Sequence, residues 1–123
     1  MMSSKYRKGY LSERKVVKYL EERGWYVIRS AKSRGLFDIL AVRKIDDEVV
    51  VIGVQVKSSY KLVYRDIAYK GVNHKMMDAY KKYGIIPLYA TTDKEIRFYN
   101  VNGLELKLGK RNPNTNYSTN NSK

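Results

Sequence analysis

The run VVVIGVQVKSS, residues 49–59, is apolar at nearly every position as far as Gln55. Successive residues of a strand point to opposite faces of a sheet. A segment apolar on both faces is satisfied only when both are covered, which puts this strand at the centre of its sheet.

The rest of the chain supplies the flanking elements. Residues 1–9 are polar and basic and read as a loose arm. From Tyr10 to Arg23 the pattern is helical: Val16, Val17 and Leu20 share a face, and Gly24 is a natural stop. WYVIRSA (25–31) reads as a strand, KSRG (32–35) as a basic loop, LFDILAVR (36–43) as a second strand and KIDDE (44–48) as a turn into the central run. Residues 60–71 are tyrosine-rich and basic and fit no clear pattern. A second helix is expected over 72–83, with Val72, Met76, Met77, Tyr80 and Tyr83 on one face and Gly84 as its stop. Strands over 85–92 and 95–101 complete the order αβββαββ. From Lys107 the chain is polar and Asn-rich, so the expected organisation is one domain over 1–106 and a disordered tail over 107–123. A crossover helix between strands implies an α/β fold, with a central mixed five-stranded sheet flanked by helices.

Charge narrows the partner. The chain has 25 Lys and Arg against 12 Asp and Glu in 123 residues, a formal net charge of +13. So large an excess on a small domain points to a polyanion, most simply nucleic acid, with a membrane surface as second choice. No apolar stretch is long enough to span a bilayer, and the polar N-terminus is unlike a signal peptide, so the expected compartment is the cytoplasm. There is no cysteine and one histidine, His74, read as a surface residue. Cysteine-ligated zinc is excluded, and a histidine-rich metal site or a Ser-His-Asp triad is disfavoured. Any catalysis falls to carboxylates and lysines.

Four polar residues stand out against apolar surroundings. Glu13 precedes Val16, Val17 and Leu20 at helical spacing, so it lies on the buried stripe; alone it is as well explained as an acid near the helix start. Asp38 heads an apolar strand, where alternation puts Asp38, Leu40 and Val42 on one face and Phe37, Ile39 and Ala41 on the other. A strand-edge aspartate paired with Arg34 is the plainer alternative. Gln55 and Lys57 lie two apart and point to one face, as expected also for a strand leaving the core. Taken together, an acid on a helix, an acid on one strand and a polar-x-Lys pair on the next suit a hard divalent metal such as Mg²⁺ beside a cation.

The stretches KGYLSERKVVKYLEERGWYVIRS, SRGLFDILAV and VVVIGVQVKSS resemble the PD-(D/E)xK nuclease superfamily, and within it the archaeal Holliday junction resolvases. HKMMDAYKKYG and IIPLYAT are similar to the family's second helix and following strand. The resemblance implies a homodimer that cuts phosphodiester bonds of branched DNA with Mg²⁺, Mn²⁺ substituting. Glu13 would assist the metal or its waters, Asp38 would be the central ligand, the carbonyl of Val56 would complete the shell and Lys57 would be the catalytic lysine. Ser33 sits where resolvases often carry a functional serine. Phe37 stands where the family has proline. Gln55 stands where it usually has glutamate, and a neutral amide offers an oxygen without a charge. Arg7, Lys8, Lys32, Arg34, Lys61 and Arg65 flank the site in sequence and are expected to meet phosphates. Two other readings remain: a nuclease of the same superfamily acting on ends, flaps or duplex, and a non-catalytic DNA-binding protein on the nuclease scaffold.

Overall fold

A computed structural model of the protein describes residues 4–30, 36–69 and 72–108, with side chains from Gly9 onward. The elements are α1 (Ser4–Glu22), β1 (Tyr26–Arg29), β2 (Ile39–Ile45), β3 (Glu48–Lys57), α2 (Tyr60–Tyr69), α3 (Val72–Tyr83), β4 (Ile85–Thr91), β5 (Arg97–Tyr99) and β6 (Glu105–Leu106). The six strands form one sheet in chain order, with β3 and β4 parallel and the other neighbours antiparallel. The apolar run is central, as its two-faced pattern requires. The α/β class and the mixed sheet stand as expected.

Four details differ from the sequence reading. The helix begins at Ser4, so the segment expected to be a loose arm is helical from there. β2 and β3 run up to a two-residue turn, Asp46-Asp47, with φ of 52° and 67°. A tight hairpin of this kind needs positive φ at both central residues, which aspartate tolerates better than most side chains. Residues 60–69 form α2, whose inner face carries buried Val63 and Asp66. Three tyrosines in ten residues give little intrinsic helix signal, and an acid on the inner face breaks the amphipathic pattern. Finally, β6 adds a sixth strand at an edge, after a turn in which Asn100 Oδ1 accepts the N–H groups of Asn102 at 2.8 Å and Leu104 at 3.1 Å. Residues 109–123, most of the expected tail, lie outside the described residues.

Two apolar layers hold the sheet. On one face, Val16 and Leu20 of α1 pack with Ile39, Ala41, Ile52, Val54, Leu88, Ala90 and Phe98. On the other, Val63 of α2 and Met76 of α3 pack with Phe37, Tyr89 and Tyr99. Of the face expected on the second helix, Met76 is fully buried, whereas Tyr80 and Tyr83 are exposed. Phe37 lies with Leu40 rather than with Ile39 and Ala41, because β2 begins only at Ile39 and strict alternation does not reach back to Phe37. Gly53 makes this possible: a Cβ there would sit 2.6 Å from the Phe37 ring and 2.8 Å from Ile85 Cγ2.

Candidate active site at the fork between β2 and β3

Asp38 sits where the β2–β3 ladder ends. Its N–H donates to the Val54 carbonyl at 2.9 Å, and its carbonyl accepts the Ser30 N–H at 2.9 Å, so a neighbouring segment on each side fixes its backbone. The next inward-facing amide along β3, that of Val56, has no β2 strand beside it. The Asp38 side chain takes that place: Oδ2 accepts the Val56 N–H at 2.8 Å. The carboxylate is thus anchored by one oxygen. Burial pushes its pKa up, opposed by the Val56 N–H and by the Lys57 charge.

Glu13 approaches from α1, its side chain 16% exposed. The Arg29 guanidinium at the end of β1 donates to Glu13 Oε1 through Nη2 at 3.0 Å and Nε at 3.4 Å, while lying 4.8 Å from the Tyr10 ring centroid. Burial raises the Glu13 pKa, Arg29 opposes the rise, and the Asp38 charge adds to it. That repulsion places the helix acid and the strand acid in one electrostatic neighbourhood.

Lys57 closes the fork from β3. Its Nζ lies 2.9 Å from Oδ2 of Asp66, a residue of α2 that is 3% exposed. Lys57 therefore acts on two carboxylates, Asp38 on one side and Asp66 on the other. Tyr89, opposite Gln55 on β4, is pushed up to about 12 by burial and by the Asp66 charge. Its hydroxyl donates to Asn73 Oδ1 at 2.6 Å, and Asn73 Nδ2 donates to the Val101 carbonyl at 2.7 Å. Gln55 itself donates from Nε2 to the Leu36 carbonyl at 2.6 Å.

A family model for archaeal Holliday junction resolvases (Hjc) matches residues 4–107. The chain belongs to the archaeal Holliday junction resolvase family. Comparison with curated proteins finds no match. As an Hjc-family chain it stands among nucleases that act on DNA junctions, and the matched span takes in every strand and helix described above.

The Hjc fold brings Glu13, Asp38, Gln55, Val56 and Lys57 to one end of the sheet. Val56 meets Asp38 through its N–H. Ser33, Lys32 and Arg34 lie outside the described residues, as do the side chains of Arg7 and Lys8 on α1. Lys61 and Arg65 are exposed on the outer face of α2, which follows Lys57 directly. The sequence reading missed Arg29 and Asp66. Arg29 ends a strand, where a cation is unremarkable. Asp66 lay in the segment without a pattern, and an acid between Ile67 and Val63 was the one signal that pointed inward.

Among the described residues no three His, Cys, Asp or Glu side chains cluster as metal ligands. The fork offers two carboxylates and the Gln55 amide. This set still fits a hard cation, which needs oxygen donors and only one or two carboxylates. Two acids that raise their own charge cost by burial and proximity are relieved by a positive ion between them.

Proposed function

We propose that this chain is a divalent-metal-dependent endonuclease selective for four-way DNA junctions, working as a homodimer. The observation that carries the reading is the convergence of Glu13, Asp38, Gln55 and Lys57 from three elements at one fork, with Asp38 anchored on the Val56 N–H. Glu13, Asp38 and the amide oxygen of Gln55, with the Val56 carbonyl, would hold Mg²⁺ or Mn²⁺. When bound, such an ion lowers the pKa of a water and draws charge from the phosphate under attack.

The chain's own residues do the rest. Glu13 presents a carboxylate to water at the fork and is kept in register by Arg29. Lys57 donates hydrogen bonds toward the charge that builds on the phosphate oxygens. Lys61 and Arg65, with Arg7, Lys8, Lys32 and Arg34, bind phosphates, in keeping with the net charge of +13. A second copy has a place to pack: an apolar depression lined by Ile28, Leu36, Phe37, Leu40 and Ile85 lies on the half of the second face that α2 and α3 leave open, beside exposed Tyr83. No helix among the described residues is long and apolar enough to cross a membrane, and a protein that meets chromosomal or viral DNA works in the cytoplasm of a cell without a nucleus.

One observation favours a second reading, a junction-binding protein that does not cut. Gln55 spends its amide N–H on Leu36, a bond that glutamate cannot make, so the residue is suited to a structural task. Cleavage of a labelled four-way junction beside linear duplex and single strand, with Mg²⁺ present, separates these. Junction-only nicks support the resolvase; equal cutting of all three supports another nuclease of the superfamily; tight junction binding without nicks supports the binder.

A further inference from the structure

We propose that Asp66 is a positioning residue for Lys57, holding the ammonium at the fork from behind. The inference rests on the proposed nuclease reading for its consequence, and on geometry for its content.

A carboxylate as buried as that of Asp66 persists ionised only when a cation or several donors meet it. The groups around it narrow the choice. The Tyr89 hydroxyl turns to Asn73 Oδ1, and Asn73 turns its own donor to Val101. Val63 and Met76 in the same layer are apolar. Lys57, with Nζ at 2.9 Å, is the cation that meets it.

The consequence runs in the other direction. A lysine has a long stem with several rotatable bonds, and its side chain loses much rotamer freedom when fixed. Lys57 leaves β3 at its last residue, beyond the end of the β2 pairing, so on that side no strand runs beside it. The Asp66 carboxylate takes one of the three ammonium donors and leaves two for the fork. It comes from α2, which packs through Val63, with Ile67 beside it, into the second apolar layer, so the anchor is itself held in place. The side chain that touches phosphate is thus placed by one that never does. Placement of this kind counts: a displacement of about 1 Å at a reacting group costs on the order of a hundredfold in rate.

The test uses Asp66→Asn, which keeps the shape and removes the charge, and Asp66→Glu, which keeps the charge. Single-turnover cutting of a four-way junction, junction affinity and thermal midpoint are measured for each. The Lys57 ammonium is observed in parallel by side-chain ¹⁵N NMR of the full chain without DNA. The expected result for Asp66→Asn is cutting slowed by about tenfold or more, with affinity and midpoint close to wild type and faster hydrogen exchange at the Lys57 ammonium. Asp66→Glu recovers part of the rate. Wild-type cutting by Asp66→Asn, or loss of rate only together with affinity and midpoint, overturns the proposal. So does a wild-type Lys57 ammonium that exchanges as fast as a surface lysine, a result that needs no variant. A wild-type chain that binds junctions without cutting sinks the nuclease reading instead, and the NMR signal still decides whether Asp66 holds Lys57.

Discussion

Asp38 carries opposing demands. Its ordinary pKa is 3.8, and the folded environment raises it. The folded state therefore binds a proton more readily than the unfolded chain, and stability falls as pH climbs from that value through the raised one. Above the raised value the cost is fully present. Asp38→Asn keeps an oxygen for the Val56 N–H and removes the charge, so it is expected to raise the thermal midpoint at pH 7 while abolishing cutting. The gain should shrink below pH 3.8, where both versions are neutral. A midpoint equal to or below wild type at pH 7 counts against the burial argument. Gln55→Glu tests the neighbouring position. It strips the Leu36 carbonyl of its donor and sets oxygen against oxygen, a loss of about 1–3 kcal/mol without metal. It also adds a third acid, so added Mg²⁺ should raise the midpoint of Gln55→Glu more than that of wild type. Asp38, Gln55 and Lys57 were legible in the sequence because each interrupts an apolar run. Arg29 and Asp66 were not, because their meaning lies in partners 16 and 9 positions away, numbers that follow from the Glu13 and Lys57 pairings and from no local pattern.

At the scale of elements, α2 has two faces with separate tasks. Val63 and Asp66 point inward, while Lys61, Tyr64 and Arg65 are exposed. Replacing Lys61 and Arg65 together by alanine should weaken binding to any DNA and flatten the plot of log affinity against log salt by about 0.9 for each phosphate contact removed. An unchanged slope would take α2 out of the DNA interface. The central strand was readable from its unbroken apolar run, and α1 from Tyr10 onward from its helical periodicity. The Asp46-Asp47 hairpin, α2 and the two-residue β6 were not, since each depends on a local φ value, an inward acid or an edge pairing that sequence periodicity does not carry.

For the whole molecule, the sheet is covered by α1 on one face and only in part by α2 and α3 on the other. The site opens where β2 stops short of the end of β3, so a strand that ends early makes both the fork and the place for Asp38. The net charge of +13 suits a polyanionic partner, and the fork is where cutting is proposed. Cutting at this fork is the proposed activity. The measurement is single-turnover cleavage of an end-labelled four-way junction by wild type, Asp38→Asn and Lys57→Ala, each with Mg²⁺ and with chelator. The account predicts paired, symmetric nicks for wild type with Mg²⁺, and none with chelator or in either variant, at junction affinity that the variants retain. Nicks that survive Asp38→Asn, or junction binding without nicks in wild type, would contradict it.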